Sequence, residues 1–263
     1  MALHIRGFGA CMIGGFPHRY EDSFFHRALE RVQLLSGLEI TSSLFTFGGF
    51  PITRVPKYLK SKGLTARPDI VVLQFASCDL NVPLRKNRKS SISNPQSGAQ
   101  HTSGPHHLSK PTGPSDWLKW QLQGLISDAL ALPPVTHPDT YLETLLQLVS
   151  TLSEHGVTPV VLSPFVFGGR RSDRFARDCA GRVQRALSKI PNATYVDAYS
   201  ALDRHPRSRM LLADGTHLST TGQHVVADAL VPCLRNVVDR LAPPENNSSL
   251  VKTDWEILVE SYG

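Results

Sequence analysis

Cysteine, methionine and tryptophan are scarce in this chain of 263 residues, which has four cysteines, three methionines and three tryptophans. Four cysteines in a chain of this length exclude a small disulfide-stapled scaffold. No apolar run approaches about 18 residues, so no membrane-spanning helix is expected. The N-terminus lacks the basic, apolar and cleavage-site order of a signal peptide. We therefore expect a cytoplasmic protein whose cysteines are free thiols.

Signatures of nucleotide, flavin and metal binding are also missing. The sequence contains no Gly-x-Gly-x-x-Gly, no Walker loop and no cluster of metal-ligating side chains, so we predict no cofactor and no metal. Lys and Arg exceed Asp and Glu by 28 − 22 = 6. The basic runs at 83–90 and 168–174 are typical of solvated loops, and no nucleic-acid partner is predicted.

The hydrophobic pattern alternates between strands and helices along most of the chain. The predicted strands are 3–9, 38–47, 69–75, 158–165 and 193–199, and the main predicted helices are 21–35, 139–156, 172–190 and 219–241. This alternation predicts one α/β domain, a doubly wound parallel sheet of five strands with helices on both faces. Binding and catalytic residues of such a domain lie at the carboxyl ends of the strands.

Two segments depart from this pattern. Residues 86–115 are rich in Ser, Pro, Gly and His, which predicts a flexible insertion that could act as a lid. Prolines at 243–244 end the last helix, and a polar linker follows. We therefore predict a domain at 1–242 and a C-terminal tail at 243–263.

Asp214 and His217 stand three residues apart in a glycine-containing turn, just before a helix capped by Ser219 or Thr220. At this spacing a carboxylate can reach the Nδ1–H of the imidazole, which leaves Nε2 free as a general base. Cys11 follows the first predicted strand, where a nucleophile would stand. A thiol at the start of a helix and facing an imidazole is expected to have a lowered pKa. The alternatives are a buried packing residue and a redox role with Cys78.

These segments resemble the SGNH (GDSL-type) hydrolases, which are flavodoxin-like esterases, lipases and acyltransferases. "LLADGTHLSTTG" resembles the last block of that family, where the catalytic Asp and His share one turn. "LHIRGFGACMIGG" resembles the first block, Gly-Asp-Ser, and "PDIVVLQFASCDL" the third block, which ends in Gly-x-Asn-Asp. The resemblance implies a triad of Cys11, His217 and Asp214, with cysteine in place of serine.

The resemblance also implies an oxyanion site that departs from the family pattern. Its donors would be Cys11, Gly49 and Cys78, with Cys78 in place of the family's Asn. A thiol is a weaker donor than an amide. An alternative alignment puts Pro51, which has no N–H, at the position of Gly49. Weaker oxyanion binding predicts slow turnover of unactivated esters, unless the Ser77 hydroxyl substitutes.

The predicted function is acyl handling, by an esterase, thioesterase or acyltransferase with an acyl-cysteine intermediate. The predicted partner is a small-molecule acyl substrate, free or carrier-bound. Its predicted contacts are Ser77, Asp79, Arg19 and Arg170, with Arg171 as an alternative to Arg170, and no oligomeric state is predicted. The alternative hypothesis is a binding protein that has kept the SGNH fold and lost the chemistry.

Overall fold

The computed structural model describes residues 2–47, 50–59, 67–82, 96–97 and 111–242. Gly49, the predicted tail at 243–263 and most of the predicted insertion at 86–115 lie outside these residues. No helix in the described part of the chain is long and apolar enough to cross a membrane.

The centre of the fold is a six-stranded sheet in the order β4-β2-β1-β3-β5-β6. The strands are β1 Ala2–Gly9, β2 Glu39–Thr46, β3 Ile70–Gln74, β4 Gln96–Ser97, β5 Thr158–Leu162 and β6 Thr194–Val196. All neighbours are parallel except β4, which is a short antiparallel edge. The five parallel strands have the flavodoxin-like order, which confirms the predicted fold class.

Helices lie on both faces of this sheet. They are α1 Phe24–Ser36, α2 Val55–Tyr58, α3 Pro114–Ala129, α4 Pro138–Glu154, α5 Arg170–Leu187, α6 Ala198–Asp203, α7 Arg207–Met210 and α8 Thr220–Leu241. The first helix packs against the last, and α4 packs against α5. Every residue of β3 is buried, as expected for a strand covered on both faces.

The bounds of several predicted elements differ from those in the structure, and the strand predicted at 158–165 ends at Leu162. The strand predicted at 193–199 ends at Val196, because the Asp197 carboxylate accepts a hydrogen bond from the Ser200 N–H and caps α6. Helix α3 begins inside the segment predicted to be a flexible insertion. Gly113 is its N-cap and Pro114 its first residue, and the Gly113 N–H donates to the Asp116 carboxylate over 2.9 Å.

The carboxyl ends of β1 and β3 lie side by side at the point where the strand order reverses. Gly9 pairs with Gln74 in the register of these two strands. A Cβ on Gly9 would lie 2.3 Å from the Gln74 carbonyl oxygen, so only glycine allows this approach. The Ala10 N–H donates to the same carbonyl over 2.8 Å. The loop that carries Cys11 is thereby held against the loop that follows β3.

Candidate active site

Cys11 begins a short 3₁₀ turn, Cys11–Gly14, directly after β1. Its Sγ lies 3.2 Å from Nε2 of His217. Nδ1 of His217 lies 2.5 Å from Oδ2 of Asp214. The structure thus brings the three residues of the predicted triad together in the predicted order, although they are up to 206 positions apart in the chain.

The carboxylate is fixed by its own turn as well as by the imidazole. Oδ1 of Asp214 accepts hydrogen bonds from the N–H groups of Thr216 and His217, each over 2.9 Å. Burial opposes ionisation of Asp214, but its hydrogen bond to His217 and the attraction to that ring outweigh burial and lower its pKa. The ring of Phe16 contacts His217 edge-on at 5.1 Å between centroids. These contacts fix the imidazole with Nε2 towards Cys11.

Two aromatic residues that the sequence analysis did not identify support this site. One is Phe16, and the other is Trp120 of α3, whose indole N–H donates to the Ala213 carbonyl over 3.1 Å. A Cβ at Gly215 would lie 2.8 Å from Trp120, so the turn between Asp214 and His217 packs directly on this ring. For Trp120 the only signal in the sequence is the pair of tryptophans in "WLKW", and this segment resembles none of the SGNH family blocks.

The Cys11 thiol faces a second thiol. It forms a hydrogen bond with the Cys78 side chain, and this bond, together with burial, raises the pKa of Cys11 well above its ordinary value of 9.0. The same contact lowers the pKa of Cys78. The expectation of a lowered pKa at Cys11 is therefore wrong. That expectation took no account of the burial of the Cys11 thiol or of the neighbouring Cys78, which together favour the protonated form of Cys11.

The loop that carries Cys78 has an unusual backbone. Ala76, which stands where the resembled family has glycine, has φ +99°. That conformation favours glycine, so the alanine is strained here. The Leu80 N–H donates to the Ala76 carbonyl over 2.9 Å and closes the turn. This turn brings Cys78 to Cys11.

Asp79 was predicted to contact substrate, but the structure places it in the interior, where it is 1% exposed. It accepts hydrogen bonds from the Ile52 N–H over 2.9 Å and from the Thr136 hydroxyl over 2.7 Å. Burial raises its pKa, and these bonds oppose that rise. Asp79 therefore connects the loop after β3 with the segment that begins at Pro51 and with the segment before α4.

The remaining predicted substrate contacts are scattered. Ser77 is 3% exposed, and its buried hydroxyl has no hydrogen-bond partner within the described residues. Arg19 is exposed, just before the 3₁₀ turn Tyr20–Asp22. Arg170 is exposed at the first position of α5. Neither arginine has a hydrogen bond to Cys11, His217 or Asp214 within the described residues.

A cavity of 190 Å³ opens beside Asp214, between α3 and the start of α5. Its polar lining includes the side chains of Asn81, Gln123, Arg171 and Thr216. The Arg171 guanidinium donates to Asp128 over 3.2 Å, and Arg174 pairs with the same carboxylate over 3.3 Å. Of the candidate arginines, Arg171 is the one that lines a cavity next to the triad.

No family model and no curated protein matches the sequence. Solved structures do match the fold. A lipase/acylhydrolase from Enterococcus faecalis has 15% identity and a TM-score of 0.57 over 89% of this chain and 96% of that one. The acetylxylan esterase Axe2 from Geobacillus stearothermophilus has 16% identity and a TM-score of 0.56, with 89% and 94% covered.

A third match is a lipolytic protein of the G-D-S-L family from Desulfitobacterium hafniense, with 10% identity and a TM-score of 0.54 over 88% of this chain and 99% of that one. The chain has the fold of the SGNH hydrolases. At these identities the likeness extends to the fold alone, so the chemistry of the site is argued from its own residues.

Proposed function

We propose that this protein is an acyl-transfer enzyme that cleaves ester or thioester bonds through an acyl-cysteine at Cys11. The observation that carries the proposal is the chain of contacts from Cys11 through His217 to Asp214, at 3.2 Å and 2.5 Å. Cysteine, imidazole and carboxylate in this order are a nucleophile, its base and the group that orients the base. The esterases and lipases that share the fold support the same class of reaction.

In the proposed first step, Sγ of Cys11 attacks the carbonyl carbon and Nε2 of His217 takes the thiol proton. Because the pKa of Cys11 is raised, the thiol is protonated at rest and the base must act during the attack. Asp214 stabilises the imidazolium that forms. When the tetrahedral intermediate collapses, His217 returns the proton to the leaving oxygen or sulfur, and the acyl group stays on Cys11 as a thioester.

In the second step, an acceptor attacks the thioester while His217 removes its proton. The tetrahedral intermediate then collapses, and His217 returns that proton to Sγ of Cys11. Water as the acceptor gives hydrolysis, and an amine, thiol or alcohol gives transfer. A thioester reacts with amines and thiols more readily than with water, so cysteine in place of serine favours transfer. The proposed oxyanion donors are the Cys11 N–H, Cys78 and Gly49, the last of which lies outside the described residues.

The cavity beside Asp214 suggests the substrate class to test first. It is small, at 190 Å³, and most of its polar lining is uncharged, with Arg171 and Asp214 as charged lining residues of opposite sign. A short acyl ester of a neutral, hydroxyl-rich alcohol fits this lining better than an anion does. The acetylxylan esterase activity of Axe2 agrees with this class. Binding of an anionic group by Arg19 or Arg170 remains the alternative.

The test is to treat the protein with p-nitrophenyl acetate and to measure the intact mass. We expect one acetyl group on Cys11, and none in Cys11→Ala. Cys233→Ala is the matched control, because this half-buried thiol lies on α8 and donates weakly to the Tyr195 carbonyl. Equal acetylation of Cys11→Ala and of the unchanged protein would overturn the proposal.

A second candidate, a binding protein with the fold and without the chemistry, is favoured by one observation. The Cys11 thiol is held protonated by Cys78, and Cys78 is a weak oxyanion donor. This candidate predicts no acetylation of Cys11 under any condition, with retained binding of acyl esters by calorimetry. The intact-mass experiment therefore distinguishes the two candidates.

A further inference from the structure

The side of α3 that points away from the body is apolar. Its members are 48% to 63% exposed and recur at helical spacing, which puts them on one side of the helix at about 100° per residue. We call this set the α3 outer face, and it consists of Leu118, Leu122, Leu125, Ile126 and Leu130. Such an arrangement reverses the usual pattern, in which the apolar side of a helix faces the core.

The opposite side of α3 is packed on the body. Trp120, Gly124 and Ser127 are buried there, and a Cβ on Gly124 would lie 3.1 Å from Cβ of Arg170. Trp120 joins α3 to the turn that carries Asp214, through its hydrogen bond to Ala213. Because these contacts fix the rotation of the helix, the outer face cannot turn inwards. Contiguous exposed apolar surface of this kind is a mark of an interaction site.

The charged side chains of α3 and of the adjoining start of α5 are mainly positive. Lys119 is exposed on α3 and Arg170 is exposed at the start of α5, and neither forms an ion pair within the described residues. Arg171 and Arg174 share the carboxylate of Asp128 at 3.2 Å and 3.3 Å, and Asp116 accepts a hydrogen bond from the Gly113 N–H. These cations outnumber the two carboxylates, so this region has a net positive charge.

We propose that the α3 outer face docks on the surface of an anionic phospholipid bilayer. An amphipathic helix with a leucine-rich exposed side and a surplus of cations is the usual element for such binding. Two copies docked by this face would bring together regions of the same positive charge, which disfavours self-association. The proposal goes beyond the acyl chemistry and does not depend on it.

Docking in this way has a consequence for the site. Trp120, Gln123 and Gly124 of α3 line the cavity beside Asp214, so the helix that would rest on the membrane also forms a wall of that cavity. The bilayer would therefore bring the cavity close to molecules dissolved in the lipid.

The test is flotation of the full chain with vesicles of phosphatidylcholine, with and without phosphatidylglycerol. We expect binding to the anionic vesicles, weakening as salt is added, and much weaker binding to phosphatidylcholine alone. The double variant Leu122→Gln, Leu125→Gln should lose about tenfold or more in vesicle affinity. Leu34→Gln is the matched control, since Leu34 is an 84% exposed leucine on α1, and it should bind unchanged.

Two further measurements complete the test. Lys119→Ser should weaken binding to the anionic vesicles only, and it removes no apolar side chain, so it tests the charge separately. Thermal melting of each variant should match that of the unchanged protein, because the substituted side chains are exposed. Absence of vesicle binding, or equal binding by the double variant, overturns the proposal. So does a dimer in sedimentation velocity that the double variant dissociates, which would assign the face to a second copy.

Discussion

The side chains of Cys11 and Cys78 are hydrogen-bond partners, so the proposed nucleophile and the residue in the family's oxyanion position face each other across the site. A serine and an asparagine in these places would not ionise near neutral pH. Two thiols titrate together, and the first proton to leave belongs to the pair rather than to either residue. The chemistry of this site therefore depends on Cys78 more than its role as a weak donor suggests.

The pH dependence of alkylation tests this coupling. Cys78→Ala removes the hydrogen bond that is the first cause of the raised pKa at Cys11. A lower pKa gives more thiolate at a given pH, so the profile of iodoacetamide labelling at Cys11 should move to lower pH. Labelling is followed by peptide mass spectrometry, with Cys233→Ala as the control that leaves the profile in place. An unchanged or upward-shifted profile would show that Cys78 does not hold the proton on Cys11.

Replacing Asp214 tests the orientation of the base. Asp214→Asn keeps the size of the side chain but removes the charge that stabilises the imidazolium, so acylation by p-nitrophenyl acetate should slow by about 10²–10⁴-fold. The pKa of Asp214 is below its ordinary value of 3.8. In the unchanged protein this carboxylate should therefore stay ionised as the pH falls to 3.8, and its protonation should cause no loss of rate above that value. A wild-type rate in Asp214→Asn would remove Asp214 from the mechanism.

The overall fold and the three central residues follow from local patterns in the sequence. Buried runs such as "DIVVLQF" predict strands, and the turn "DGTH" brings Asp214 to His217 over three residues. The meeting of Cys11 with His217 required the parallel sheet order, which the alternation of strands and helices supplied. The predicted fold is confirmed and the three side chains are in contact, because each of these features depends on a short segment or on topology.

The features that the sequence did not reveal depend on contacts between segments that are far apart in the chain. Helix α3 was missed because its apolar side faces outwards and its inner side carries Gly124 and Ser127, which do not look like a core. The burial of Asp79 and its bonds to Ile52 and Thr136 join three segments that no local pattern relates. The raised pKa of Cys11 depends on its neighbour in space, Cys78.

Ala76 offers a test of stored strain. Its φ of +99° costs about 1–3 kcal/mol for a residue with a Cβ, and Ala76→Gly relieves this strain. The greater freedom of glycine in the unfolded chain offsets about 0.4–1 kcal/mol of that stabilisation. Ala76→Gly should therefore stabilise the protein by about 1 kcal/mol in urea unfolding. Ala229→Gly, in the middle of α8, is the control and should destabilise it by about 1 kcal/mol. Destabilisation by Ala76→Gly would mean that the turn tolerates alanine without strain.

Asp79 is expected to hold the loops of the site rather than the substrate. Asp79→Ala leaves the buried Ile52 N–H and Thr136 hydroxyl without their acceptor, at a cost of about 2–4 kcal/mol in the free energy of unfolding. Asp178→Ala is the control, because that exposed carboxylate pairs only loosely with Arg182 at 3.7 Å. Its effect should stay within about 0.5 kcal/mol. If Asp79→Ala raised KM for an ester without lowering stability, the predicted substrate contact would be correct.

Oxidation tests whether Cys11 and Cys78 can form a bond. With hydrogen peroxide, one thiolate attacks a peroxide oxygen to give a sulfenic acid and hydroxide, and the second thiol then condenses with the sulfenic acid to give a disulfide and water. The hydrogen bond between the two side chains brings the sulfurs close, and a disulfide also requires Cα atoms about 4.4–6.8 Å apart. We expect mild peroxide to link Cys11 to Cys78 and to block acetylation by p-nitrophenyl acetate. Dithiothreitol, by reducing the bridge, should restore acetylation.

Peptide mapping after oxidation gives the decisive readout, because it separates a bridge from overoxidation. In Cys78→Ser no second thiol faces Cys11, so Cys11 should be oxidised further to the sulfinic acid. Dithiothreitol should then no longer restore acetylation. Cys179 is buried on α5, and burial raises its pKa to about 12, so it should remain reduced and serves as an internal control. Sulfinic acid on Cys11 of the unchanged protein, with Cys78 untouched, would show that the two sulfurs cannot reach bonding distance. Cys78 would then act on Cys11 through its hydrogen bond alone.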